Sequence, residues 1–502
     1  MGKYKMNWKD LLSTSSQRDR SSKKKIPDIE NDNKNNYVHM DLRSDFERDY
    51  HRVLSSPSFR RLQDKTQVFP LEKNDFIRTR LTHSIEVSSF GKSLAQSIAN
   101  EIIKNELDEE FSVSDGISIT NILASAGLLH DIGNTPFGHF GEDTIRDWFY
   151  NNLEKKEIKD EKGNLKKIGE ILNEQMKNDF LFFEGNAQAI RVVSKLHFLV
   201  DENGMNLTYA LLNTIIKYPV ASTKIHPESG DIREKKMGYY YADRELFEDI
   251  VSETGAGNHR HPLTFILEAA DDIAYKTADI EDAFVKRFLT YHSLRDELRK
   301  LQNREKKYAD PEEKDQNWFC PADKLVELYD RAKKNGVDDP GDYAVKNWIV
   351  KAQGFLIGCA TSGFTSHYEE IMEGTYKKDL FAGTLAEGLV KLLGEIACKC
   401  VFKTETIYRM EVKEAVMLDN LLDRFVGAAI KYDDPTQKLN SIEERLISFI
   451  SNNYKKAYRY HAEEKSEVYR LYLRLLLVTD YICGMTDSYA KRLYQELNAI
   501  MA

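Results

Sequence analysis

Leu128-Leu-His-Asp-Ile-Gly-Asn-Thr-Pro-Phe-Gly-His-Phe-Gly-Glu142 is the stretch on which the fold turns. Upstream of it, Ile122, Ala126 and Leu129 recur at helical spacing, so an apolar helix ends on the adjacent pair His130-Asp131. Gly133, Pro136, Gly138 and Gly141 then force a turn, and a second helix follows with Ile145, Trp148 and Phe149 inward. Neighbouring helical residues project about 100° apart. His130 and Asp131 can therefore share a metal only near the end of their helix, in a concave site. One imidazole with carboxylates makes a mixed nitrogen and oxygen site, which suits Mn, Fe, Co, Ni or Mg better than a closed zinc centre.

Two other segments carry the same kind of chemistry. His83 begins a helix whose stripe is Val87, Phe90, Leu94, Ile98 and Ile102. Glu268-Ala-Ala-Asp271-Asp272-Ile-Ala-Tyr275 puts two acids into a helix with Leu263, Ile266, Leu267, Ala270 and Ala274 on one face. Carboxylates in an apolar helix are costly unless they are paired or hold a cation.

Outside these segments the pattern stays helical from Asp45 onward, with long stretches at Leu380–Cys400 and Val468–Met485. The charged stretch 151–170 contains Lys162-Gly163-Asn164 and predicts an exposed hairpin. Residues 223–241, with Gly230-Asp231 and Tyr239-Tyr-Tyr241, predict a second small ribbon, and 302–316 a further charged excursion. Residues 1–40 are rich in Lys, Asn and Ser and read as a polar, flexible or loosely docked arm. The expected architecture is mainly α with one or two short β-ribbons, and no repeat of 20–50 residues marks a solenoid.

Composition narrows the function classes. In 502 residues, 41% are hydrophobic and 30% charged, enough for a sizeable core. A formal charge of −9 rules out a strongly basic nucleic-acid coat. The five cysteines form no CxxC pair, which argues against a disulfide framework or a zinc ribbon. With no apolar leader core and no run of ~18 apolar residues, the expectation is a soluble, cytoplasmic protein without a membrane partner. No GxxxxGK[S/T] phosphate loop is present.

The order His83, His130-Asp131, Asp271 resembles the HD phosphohydrolase superfamily and, more closely, the deoxyguanosinetriphosphate triphosphohydrolase (dGTPase) family. Matching stretches are Phe59-Arg-Arg-Leu-Gln-Asp-Lys-Thr-Gln-Val-Phe69, Arg80-Leu-Thr-His-Ser-Ile-Glu86, Gly127 to His139, Phe183-Glu-Gly-Asn-Ala-Gln188, Lys217-Tyr-Pro219, Glu268 to Tyr275 and Asp480-Tyr-Ile-Cys-Gly-Met-Thr-Asp487. Asp487-Ser488 stands where many relatives carry Asp-Arg. The resemblance implies an HD-domain helical core at 41–290 and a C-terminal helical region at 291–502 that completes the pocket and forms an oligomer, hexamer or tetramer.

The activity it implies is hydrolysis of dGTP to deoxyguanosine and triphosphate, by attack at the α-phosphorus. His83, His130, Asp131 and Asp271 are the implied ligands of Mg²⁺ or Mn²⁺, with Fe, Co or Ni as further metals. Asp271 is preferred to Asp272 because the family pattern sets the ligand four residues before a tyrosine, here Tyr275. His139 and Glu142 are the implied acid–base pair. A triphosphate carries about four negative charges and needs local cations. Arg80, Lys217 and one of Lys235 or Lys236 are the candidates, with Lys236 preferred and Arg43 a weaker one. Gln63, Asn186, Tyr218, Tyr275 and Asp279 are candidates for base and sugar contacts; Asp271, Tyr275 and Asp279 share one helix face at i, i+4 and i+8. Glu411 is a candidate for reaching a neighbouring subunit's site, and His259 and His261 read as structural. The alternative readings are another (d)NTP or a ppGpp-like nucleotide as substrate, or a regulatory nucleic-acid-binding HD protein. Eight Lys/Arg against two acids over 1–25 leave single-stranded DNA as a second partner.

Overall fold

The helices that meet at the site begin on caps the sequence supplies. In the computed structural model, which describes residues 4–24, 41–69, 71, 77–159, 164–198, 201–305 and 319–500, Thr79 and Ser112 each close a capping box. They start the helices Arg80–Lys104 and Val113–Leu129. These two pack along their length, burying Val87, Leu94, Ile98 and Ile102 against Ile122, Leu123 and Ala126. Gly127 allows the approach: a Cβ there would lie 2.5 Å from the Ser88 Cα. Ser88 Oγ also donates to the Ala124 carbonyl across the pair at 2.7 Å.

A third helix, Pro262–Val285, starts on Pro262, whose missing N–H is no loss at a first helical position. His261 caps it by accepting from Leu263 N–H at 3.2 Å, while its other ring nitrogen faces the Leu11 carbonyl. This helix packs on Arg80–Lys104, and Pro340–Ser366 packs on both. Glu405–Ala429 lies on Gly138–Asn152, which buries Ile145, Trp148 and Phe149. A single hydrophobic core runs from Met6 to Leu493. Among the described residues no helix is long and apolar enough to cross a membrane.

One ribbon forms, Glu157–Lys159 antiparallel to Leu165–Lys167, with Ile158 opposite Lys166. Lys162-Gly163 of its predicted turn lie outside the described residues. The second predicted ribbon does not form. Residues 222–243 fold into the single turns Ser222–Lys224, Pro227–Ser229, Ile232–Glu234 and Tyr241–Asp243, with one isolated bridge between Ala221 and Tyr239. Pro227 has no N–H to give a ladder, and the Asp231 carboxylate takes Arg233 N–H locally. The predicted helix over Leu380–Cys400 starts only at Glu387, because Asp379 turns the chain by accepting Phe381 and Ala382 N–H and Gly383 follows at φ 77°; at its other end Glu387–Ala397 continues into a π-helical turn, Cys398–Phe402. Most of the 302–316 excursion lies outside the described residues.

Residues 4–24 differ from a loosely docked arm. Met6, Trp8 and Leu11 are buried, Trp8 Nε1 donates to Tyr368 Oη at 2.7 Å, and Met6 N–H to the Met372 carbonyl at 2.8 Å. Three apolar side chains in a Lys- and Ser-rich stretch vanish in its average composition but suffice to seat it. Residues 25–40, including the Asn-rich run, lie outside the described residues.

Candidate active site

The close helix pair sets the His83 and His130 rings 5.2 Å apart, both side chains 1% exposed. His130 Nδ1 donates to the Gly127 carbonyl at 2.8 Å, which fixes the proton on that nitrogen. Its Nε2 is buried and, among the described residues, has no hydrogen-bond partner. One ligand atom each from His83, His130 and Asp131 lie within 4.8 Å of one another. Asp271, on the third helix, puts Oδ1 at 3.2 Å from His83 Nε2 and 3.5 Å from His130 Nε2. Asp272 points elsewhere and pairs with Lys276 at 2.7 Å.

The charges in this cluster are mutually set. Burial lowers the His130 pKa by more than the Asp131 and Asp271 carboxylates raise it, which favours a neutral imidazole. Burial works the same way on His83, but its hydrogen bond to Asp271 together with the charges of Asp271 and Asp131 outweighs it, and its pKa is raised. Asp271 and Asp131 are held below the ordinary carboxylate range despite burial, Asp271 first by Lys217, and Asp131 by His130 whenever that ring carries a proton and otherwise by Arg80 and His83. A neutral imidazole whose free nitrogen faces two ionised carboxylates is a donor set fitted to a divalent cation.

The glycine turn leads into the helix Gly138–Asn152, whose first turn carries His139. A Cβ on Gly133 would stand 2.2 Å from the Gly185 carbonyl, so the turn can lie against the Gly185–Arg191 helix only as glycine. Phe137 takes the left-handed conformation at φ 64°, immediately before the helix that begins at Gly138. His139 is largely exposed, at 77%, and its Nδ1 lies 3.3 Å from Oε2 of the buried Glu142. That hydrogen bond raises the His139 pKa. Glu142 Oε1 accepts Gly185 N–H at 3.1 Å, which locks the carboxylate.

Three cations converge, and each holds a carboxylate of the site. Arg80 Nη1 lies 2.6 Å from Asp131, Lys217 Nζ 2.9 Å from Asp271, and Lys236 Nζ 2.7 Å from Glu184. Glu184 in turn accepts from Asn186 Nδ2 at 2.6 Å. Lys235 is exposed, so Lys236 is the lysine that joins the cluster. On the third helix, among the described residues neither oxygen of the buried Asp279 carboxylate meets hydrogen-bond geometry with a partner, and burial pushes its pKa up to about 7 although the Tyr275 hydroxyl works to lower it. Tyr275 is one turn before it and stacks on Phe402 with centroids 6.3 Å apart. Tyr218 is buried, its hydroxyl pKa raised by that burial.

Gln63 is exposed on the turn Leu62–Asp64. Arg43 pairs with Asp41 at 2.8 Å on the surface, away from the cluster. His259 bonds the Gly374 carbonyl. Sequence reasoning gave no role to several residues that build the site's frame. Lys65 is buried and donates to the Asn134 and Cys483 carbonyls. Arg191 grips Asp480 at 2.7 and 2.8 Å, Gln188 adds a bond at 2.9 Å, and Asp487 reaches the turn itself. All lie in or beside the quoted motifs, which was the available signal.

The family described as HD domain matches residues 80–212. A deoxyguanosinetriphosphate triphosphohydrolase-like protein of Listeria innocua is 45% identical over 462 residues, 92% of this chain and 95% of its own. One of the same description from Synechocystis is 32% identical over 512 residues, 99% of this chain and 100% of its own. The deoxyguanosinetriphosphate triphosphohydrolase of Yersinia pseudotuberculosis is 32% identical over 499 residues, 91% of this chain and 94% of its own.

Proposed function

From a chain that belongs to the deoxyguanosinetriphosphate triphosphohydrolase family of HD-domain proteins, we propose an enzyme that hydrolyses dGTP to deoxyguanosine and inorganic triphosphate. The observation that carries this reading is the meeting of His83, His130, Asp131 and Asp271 with three cations and a histidine–glutamate pair in one place. His83, His130, Asp131 and Asp271 would hold a divalent ion, Mg²⁺ or Mn²⁺. Such an ion would supply Lewis-acid chemistry, polarising the α-phosphate and making water a better nucleophile at neutral pH.

The chain's own residues do the rest. Arg80, Lys217 and Lys236 bind the triphosphate, exchanging carboxylates for phosphate oxygens. His139 stands on the scissile side and gives a proton to the departing 5′-oxygen, with Glu142 fixing the tautomer so that Nε2 faces the substrate. Cleavage of the bond between the α-phosphorus and O5′ releases the nucleoside and leaves the triphosphate whole. Tyr275 lies against C2′ and leaves no room for a ribose hydroxyl, while Asp279 accepts from the 3′-OH. Gln63, Asn186 and Tyr218 complete the base and sugar contacts, and the active form is an oligomer.

A panel of dNTPs and NTPs with Mg²⁺ or Mn²⁺, read by phosphorus NMR, tests the reading. The expected product is inorganic triphosphate from dGTP ahead of GTP. Release of orthophosphate or pyrophosphate, or equal hydrolysis of GTP, would replace it with a broader HD phosphohydrolase reading.

A further inference from the structure

We propose that Asp487, at the start of the last helix Asp487–Leu497, is a positioning residue that ties the two halves of the site together and thereby sets where His139 stands. The catalytic part of this inference rests on the reading of His139 given above.

The two oxygens of this one carboxylate do different work. Oδ2 accepts Thr66 N–H at 2.9 Å, and Oδ1 accepts Phe137 N–H at 2.9 Å across 350 residues of sequence. Thr66 pairs with Thr79 in an isolated antiparallel bridge, and Arg80 N–H donates to the Lys65 carbonyl at 3.0 Å. Thr79 caps the helix that carries Arg80 and His83. The first oxygen therefore fixes the start of that helix. The second fixes the turn that carries His139.

The turn needs an outside tie. Phe137 is a bulky residue at φ 64°, a conformation that persists only where its surroundings over-determine it. Thr135 Oγ1 donates to the Gly138 carbonyl at 2.7 Å and closes the turn from within. Asp487 closes it from without. A second tie runs parallel: Lys65 Nζ joins the Asn134 carbonyl to the Cys483 carbonyl at the end of the preceding helix. An acid in a first helical turn also serves its own helix through the dipole. That role needs no contact with two distant backbone amides, and it does not explain why the carboxylate is 1% exposed and forms no ion pair within 4.0 Å among the described residues. A buried carboxylate is retained at such a cost where its acceptors are used.

Asp487→Asn tests this at nearly constant volume. An amide offers one acceptor oxygen and a donor, so one of the two N–H groups must face a donor instead. We expect kcat for triphosphate release to fall about 10–100-fold, the range for a reacting group displaced by about an ångström. KM and bound metal stay near those of the unmodified protein, and amide exchange at Phe137 and Gly138 rises at least tenfold. Ser488→Ala, which removes only a surface bond to Asp64, leaves all of these unchanged. If Asp487→Asn does not fold, Asp487→Ser, whose hydroxyl satisfies one amide at most, is measured the same way. Normal exchange at Phe137 and full kcat in Asp487→Asn, with His139→Ala impaired, would overturn the tie and leave the catalytic reading standing. Raised exchange in Asp487→Asn beside a fully active His139→Ala would leave the tie and remove the catalytic reading. Joint loss of kcat and metal would reduce Asp487 to general structural support.

Discussion

The two sides of the site are built in opposite ways. On the proposed metal side, His83 in the first turn of its helix and His130 at the C-terminal cap of its own show 1% of their side chains; His139, in the first turn of Gly138–Asn152, shows 77%. The first side is fixed by core packing: the Gly127–Ser88 approach, the Gly127 carbonyl on His130 and the third helix bearing Asp271. The second is fixed by a few hydrogen bonds, Glu142 to His139 and to Gly185, and Asp487 to Phe137. Packing is nearly all-or-none, because interiors deform little. Hydrogen bonds can be lost one at a time. The metal side should therefore fail abruptly, and the His139 side by degrees.

The largest effect is expected on the first side. Asp131→Ala removes an ionised member of the proposed ligand set and also leaves Arg80 without its carboxylate. Bound metal, measured by elemental analysis, and triphosphate release should both disappear; a folded variant with full turnover would sink the ligand assignment. His139→Ala should keep its metal and its affinity for dGTP while kcat drops ~10²–10⁴-fold. Were metal content to fall with it, His139 would belong to the first side and the contrast would collapse. Tyr275→Ala is expected to act on selectivity more than on rate. Its ring and Asp279 share a helix face with Asp271, so truncation should narrow the dGTP-to-GTP ratio of kcat/KM by about tenfold, the scale of a small steric discrimination. An unchanged ratio would move ribose exclusion elsewhere.

The same contrast explains what was legible in the sequence. The strong 3.6-residue period in Val87 to Ile102 belongs to a helix that buries one face, so packing and local pattern agree; Leu263 to Ala274 belongs to a helix enclosed nearly all round, whose apolar run is equally plain in the sequence. The His-Asp pair, the lone His83 and the acid in an apolar helix were visible because each is costly without a partner. The tie from Asp487 was not, since its partners lie 421 and 350 residues away and no local period records them. Nor was the seating of Trp8 and Leu11, which needs Tyr368 and the core beneath it to be known first. The expected ribbon at 223–241 failed for the converse reason. Its tyrosines and Gly230-Asp231 favour a hairpin locally, but Tyr240 is wholly buried and Tyr239 stacks on Phe247, so tertiary contacts chose the conformation.

The smallest expected effect separates the two chemical roles open to His139. The hydrogen bond and charge of Glu142 raise its pKa above the ordinary 6.5, so the protonated ring persists to higher pH than it would alone. An acid that protonates the 5′-oxygen must carry its proton, and its activity is lost as pH rises through that raised value. Glu142→Gln keeps an acceptor for Nδ1–H but removes the charge, so the His139 pKa should return towards 6.5. The falling limb of the kcat profile should then move to lower pH, by up to about one unit, the usual scale of such environmental shifts. The proposed metal side should be unaffected, because among the described residues the hydrogen bonds of Glu142 go to His139 and Gly185 and not to His83, His130, Asp131 or Asp271. A general base predicts the opposite gain: its rising limb would move to lower pH, and the variant would outpace the unmodified enzyme on the acid side. A profile in which neither limb moves would detach Glu142 from His139 and leave the exposed imidazole dependent on its turn alone.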